Sequence, residues 1–111
     1  MSLRRGDLVT VAAKGAYTAK PRPALVIQAS ETLPYRDSVT VCLLNTDLID
    51  ASLFRVRIDP AAANGLRRPS DVMADKVLTV PRQVLSPKPF GRLGSADVER
   101  VDAALRFWLG L

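Results

Sequence analysis

The chain contains no histidine and only one cysteine, Cys42. Without histidine it lacks the side chain most often used to move a proton near neutral pH, and the commonest metal ligand. Any catalysis must draw on Arg, Lys, Asp, Glu, Tyr, Thr or Ser. A lone cysteine excludes an intramolecular disulfide and a cysteine-based zinc cluster, and its position in an apolar run marks it as a small buried hydrophobe. No apolar run approaches the ~20 residues needed to cross a bilayer, and no apolar signal segment follows Met1–Gly6. A soluble, cytoplasmic protein with no membrane association is expected. Also missing are a phosphate-binding glycine loop, metal-ligand spacing, a nucleophile elbow and any helical DNA-reading signature. The acids are scattered, which leaves a metal-dependent nuclease without its carboxylate cluster. Neither a metal nor a cofactor is expected.

A chain of 111 residues suffices for one domain, residues 1–111, with one compact core. The net charge of +5 favours an anionic partner: nucleic acid, an acidic peptide or an anionic surface. The chain is organised around Lys20-Pro21-Arg22-Pro23, a stiff basic lead-in to the apolar run Ala24–Ile27. Each proline fixes its own φ and pushes the preceding residue into extended conformations. The run itself is short, β-branched and without alternation, so it reads as a strand buried on both faces. Arg22 at its mouth is either a fixed guanidinium fork for a phosphate or carboxylate, or an ordinary solvated charge.

Before this segment, Leu8–Ala12 is a strand, and Ala13–Thr18 is a loop in which Lys14 and Tyr17 are placed to grip a phosphate and stack on a base, or simply to connect. After it, Ala29–Asp37 is a polar surface connection, and Ser38–Leu44 alternates as a third strand ending at Asn45-Thr46-Asp47. Leu53–Ile58 has the clearest period-two pattern, with Phe54, Val56 and Ile58 inward and Arg55 and Arg57 outward as a basic stripe. Asp59 caps a short helical turn that starts with Pro60 and stops at Gly65, and Arg67 and Arg68 follow. Asp71–Val80 is one strand, or two around an irregularity, bearing Asp75 beside Lys76. A helical turn over Pro81–Leu85 leads to a loop or edge segment at Ser86–Gly91. A final helix begins at Ser95 as cap, with Val98, Val101, Leu105, Trp108 and Leu109 on one sheet-packing face. The residues alone give a basic, mainly β domain: a small twisted or closed barrel with a C-terminal helix.

Several segments, in order, resemble the MazF/PemK family of bacterial toxins. They are Arg5-Gly6-Asp7-Leu8-Val9, Pro21–Ile27, Val39–Thr46, Asn64-Gly65-Leu66 with Ser70, Ala74-Asp75-Lys76-Val77, and Gly91-Arg92-Leu93 through Leu109-Gly110-Leu111. The resemblance covers nearly the whole chain. It implies an SH3-like β-barrel, a homodimer, and metal-independent cleavage of single-stranded RNA at short recognition sequences, with the ribose 2′-hydroxyl attacking the adjacent phosphate. By position, Arg22 would stabilise the phosphorane or protonate the leaving oxygen, and Thr46 would hydrogen-bond a phosphate oxygen. Asp75 falls where some members have an acid proposed as general base; a salt bridge to a neighbouring arginine is the other role open to it. Some members use a histidine in the first loop and an arginine two residues before the acid. This chain has no histidine and has Met73 there, so Lys20, Tyr17 or Lys76 would supply the donor, with Lys20 placed best. The implied partner is an antitoxin with a disordered acidic tail, for which Arg55, Arg57, Arg67 and Arg68 offer counter-charges shared with RNA, or form a merely solvated face. Two other functions stay open: a non-catalytic toxin that binds DNA gyrase on a related barrel, and a basic RNA-binding barrel without chemistry.

Overall fold

A computed structural model describes residues 2–12 and 21–111. Among the described residues, six antiparallel strands, β1 (Asp7–Val11), β2 (Arg22–Val26), β3 (Ser38–Asn45), β4 (Arg55–Ile58), β5 (Ser70–Pro81) and β6 (Gly91–Arg92), precede one α-helix, α1 (Ser95–Leu109). The spatial order is β4-β5-β3-β2-β1-β6, so the sheet's two edges are β4 and β6. These edges curl toward each other: the Arg92 amide donates to the Ala63 carbonyl, just past β4, at 2.9 Å. The protein is mainly β, a curled SH3-like barrel with a C-terminal helix.

Alternation along each strand sends side chains to two separate apolar layers. Leu8, Leu25, Cys42, Leu44, Val56, Ile58, Val72 and Ala74 face α1, which contributes Val101, Ala104 and Leu105. Val9, Val11, Ala24, Val26, Val39, Val41 and Val80 face the far side, which Leu33 and Leu85 help to cover. Both layers draw on β1, β2, β3 and β5, which explains why the Ala24–Ile27 run has no alternation. Burying each Leu or Val side chain contributes about 1.5–3 kcal/mol, so the doubly covered central strands are the main source of stability.

β5 carries the irregularity. Between the pairs Cys42↔Val77 and Leu44↔Val72, two steps along β3 answer five along β5. Four residues of β5, Met73 to Lys76, thus stand against Leu43 alone in β3, and the strand's first part pairs with β4 and its second with the start of β3.

Local details depart from the sequence expectations. β4 begins at Arg55, and Leu53 lies exposed in the preceding turn. The segment after β4 is a turn and not a helix. Its organiser is the buried Asn64, whose Oδ1 accepts from the Ala61 and Leu66 amides at 3.0 and 2.9 Å, while its Nδ2 donates to the Asp59 carbonyl at 3.0 Å. Ala29–Asp37 contains a 3-10 turn, Ser30–Tyr35, that inserts Leu33 into the far layer. Gly94, not Ser95, occupies the cap position of α1, and no side chain caps the helix. Val98, Val101 and Leu105 pack as expected. Trp108 and Leu109 remain about half exposed, with Trp108 against the Phe54 ring at a centroid distance of 5.1 Å.

Candidate nucleic-acid interface

The side chains facing α1 change character one step beyond the core. In β1 the apolar Leu8 gives way to Thr10, in β2 Leu25 to Pro23, at the end of β3 Leu44 to Thr46, and in β5 Val72 to Ser70. Because strand side chains repeat every second residue, these four form the next row on the same face, and the Thr10↔Pro23 pairing puts two of them directly opposite each other. Short side chains there cannot fill the end of the barrel. The result is an open groove of about 360 Å³, floored by Thr10, Pro23, Thr46 and Ser70 and walled by Gly65, Leu66, Arg67, Arg68 and Phe90.

Arg22 opens β2 beside this groove but, with Ala24 and Val26, lies on the other face of the sheet. It lines a largely apolar groove of about 300 Å³ with Val11, Ala12, Leu43, Leu78, Val80, Pro81 and Val84. Arg22 and Thr46 therefore come from the ends of paired neighbouring strands, since β2 pairs with β3 through Ala24↔Leu43. They border different grooves.

The ion pairs sort the remaining arginines. Arg55 donates through Nε and Nη2 to the two carboxylate oxygens of Asp75, at 2.7 and 2.9 Å, and each side chain is only 12% exposed. Arg55 stands opposite Met73, so Asp75, two residues on, is its diagonal neighbour on the same face of the sheet. The bonded guanidinium holds the Asp75 carboxyl below the ordinary carboxylate value against the opposing effect of burial, and Asp75 in turn raises the pKa of Arg55. Arg57 donates to the buried Asp71 at 2.9 Å and to the Ile49 carbonyl at 3.0 Å, and Asp71 also accepts from the Ile49 amide at 3.1 Å. Arg92 pairs with Asp7 and Arg5 with Asp102. Arg82 donates to the Leu33 and Arg36 carbonyls.

Two expectations are corrected by this network. Arg55 and Arg57 do not form an outward-facing free stripe: Arg55 is sequestered, and Arg57 is tied to Asp71. Of the two roles open to Asp75, the geometry supports the salt bridge, since both oxygens are engaged and the carboxylate is poorly basic. Among the described residues, Arg22, Arg67 and Arg68 have no carboxylate partner within ion-pair distance, and neither does the exposed Lys76 on β5. Lys14, Tyr17 and Lys20 lie outside the described residues. No three Asp, Glu or Cys side chains converge in a metal-binding group among the described residues, and none of the helices described is long and apolar enough to cross a membrane. Sequence reasoning overlooked Thr10, Ser70 and Phe90 in the groove; the period-two step from core to small polar residue is the signal that marks the first two.

A small curled barrel whose flanks carry acid–arginine pairs, with Arg67 and Arg68 free of carboxylate partners beside an open groove floored by Thr10, Thr46 and Ser70, is a basic barrel of the SH3-like kind. The chain belongs to the PemK/MazF toxin family: the family model described as "PemK-like, MazF-like toxin of type II toxin-antitoxin system" matches residues 4–109. It is 49% identical over 109 residues to a "Probable endoribonuclease MazF" of Mycolicibacterium smegmatis, covering 98% of each chain. Among solved structures it is similar to the Mycobacterium tuberculosis toxin MazF-mt6, with a TM-score of 0.80 at 25% identity, covering 95% of this chain and 97% of that one. It shares its fold with MazF in a MazE–MazF complex from Deinococcus radiodurans, with a TM-score of 0.81 at 18% identity, covering 100% of this chain and 98% of that one.

Proposed function

We propose that this protein is the toxin of a toxin–antitoxin pair: a cytoplasmic, homodimeric endoribonuclease that cuts single-stranded mRNA at short sequences without a metal, with residues 1–111 acting as one domain. The observation that carries this reading is the gathering of Arg22, Thr46, Arg67 and Arg68 around the ends of β2 and β3 in a chain of this family. Arg55 and Arg57 are neutralised by Asp75 and Asp71, whereas Arg22, Arg67 and Arg68 keep their charge available to a phosphate backbone.

In the proposed reaction a ribose 2′-oxygen attacks the adjacent phosphorus and its proton passes to water. The bond from phosphorus to the 5′-oxygen breaks, leaving a 2′,3′-cyclic phosphate and a 5′-hydroxyl. Arg22 stabilises the charge of the phosphorane, Thr46 donates a hydrogen bond to a phosphate oxygen, and Lys20 protonates the leaving oxygen. Arg67 and Arg68, with Lys14, Tyr17 and Lys76, hold the flanking strand. Asp75 holds Arg55 in a salt bridge away from the Thr46 groove and takes no proton. The partner is an antitoxin with an acidic, disordered tail that competes with RNA for Arg67 and Arg68.

The test is incubation of the purified protein with a long single-stranded RNA in excess EDTA, followed by mapping of the ends. Discrete cuts with 5′-hydroxyl ends that vanish in Arg22→Ala are expected. Intact RNA combined with inhibition of DNA gyrase, or with RNA retention alone, would overturn the reading.

A further inference from the structure

We propose that Phe90 is a base-stacking platform at the barrel mouth, taking one unpaired base of a single-stranded RNA while Arg67 and Arg68 hold its phosphates; this rests on the nuclease reading for the identity of the ligand. Phe90 borders the same groove as Thr46, Arg67 and Arg68. Its side chain belongs to neither apolar layer of the sheet. It is 38% exposed, and no aromatic partner covers it among the described residues. An aromatic ring left open beside two arginines without carboxylate partners, over a floor of hydroxyls, offers a π-face next to cations. Single-stranded RNA presents the complement, an unstacked base next to an anionic linkage.

The ring is also held in advance of binding. The Phe90 amide donates to the Leu8 carbonyl at 2.8 Å, which fixes its backbone to β1. Pro87 and Pro89 stiffen the approach. Opposite, Gly65 stands at φ +68°, where a Cβ would lie 2.6 Å from the Phe90 carbonyl oxygen and 3.2 Å from ring atom Cδ1. Gly91 is packed as tightly in return, with 2.0 Å between a Cβ there and the Asn64 carbonyl oxygen. The ring is therefore seated against bare backbone, and the turn that seats it is fixed by the three hydrogen bonds of Asn64. A platform positioned by the fold gives up little conformational freedom when a base stacks on it.

The experiment uses short single-stranded RNAs of mixed sequence, 2′-O-methylated so that no attack occurs, with the fluorescent base 2-aminopurine placed at each position in turn. Binding to the wild-type protein should quench the probe at one position through stacking. Phe90→Leu should bind about tenfold or more weakly, in keeping with the loss of one base–aromatic stack, and should lose that quench. Phe90→Tyr should retain both, and Arg67→Ala should weaken binding while keeping the quench at saturation. On unmodified RNA, Phe90→Leu should raise KM with little change in kcat and relax the preference at one position of the cut site. A Phe90→Leu protein that melts like wild type yet quenches and binds equally well would overturn the proposal. Phe90-dependent quenching without cleavage of unmodified RNA would uphold the platform and refute the nuclease; cleavage with quenching indifferent to Phe90 would do the reverse.

Discussion

Replacing Asp75 by asparagine separates the two roles that its position suggested. Both carboxylate oxygens take bonds from Arg55, and both side chains are 12% exposed. Asp75→Asn removes the negative charge and leaves one amide oxygen to face a guanidinium that has lost its counter-ion. Breaking a pair this well buried costs about 3 kcal/mol, the low end of the range for buried pairs. Against a total of roughly 5–15 kcal/mol for a domain, that is a large share, and it should lower Tm by roughly 10 °C. The pH dependence carries a sign. The folded-state pKa of Asp75 lies below its unfolded value, so the pair's contribution is fully present above about pH 4 and is lost as pH falls through the folded value. Circular dichroism melts should therefore show the full gap between wild type and variant at neutral pH and a shrinking gap below about pH 4. RNA cleavage, measured below the variant's Tm, should persist with kcat changed by no more than a few-fold. The reverse pattern, an unchanged Tm with cleavage reduced by about a hundredfold or more, would refute the argument and return Asp75 to the role of general base.

Other perturbations probe the rest of the molecule. Gly91→Ala forces a Cβ onto the Asn64 carbonyl and should cost at least about 3 kcal/mol, read as a collapse of the thermal transition; an unchanged Tm would mean that the close approach is not real. Burial pushes the Cys42 thiol up to about 12, which leaves roughly a thousandfold less thiolate at pH 8 than an ordinary cysteine has. Reaction with a disulfide reagent should therefore follow unfolding, and rapid labelling of the native protein would contradict the burial. Arg67→Ala and Arg68→Ala should each make the salt dependence of RNA binding shallower by about 0.7 in the log–log slope. Unchanged slopes would remove these residues from the backbone contacts.

Much of this protein was determined by local pattern. Period-two alternation in Val39–Leu43 and Val56–Ile58, the two-faced apolar run at Ala24–Val26 and the helical spacing of Val98, Val101 and Leu105 fix the strands, the helix and their buried faces, because a residue's facing follows from its own backbone period. The chain's order of motifs likewise carried its family. Pattern could not say which charges remain without a partner. Arg55, Arg57, Arg67 and Arg68 look equivalent in sequence, and only the pairing of β4 with β5 brings Asp75 and Asp71 to the first two, leaving the last two at the barrel mouth. Phe90 was silent for the same reason: its place depends on two glycines 26 positions apart, and a contact between distant backbones exists only once the edges of the sheet have met.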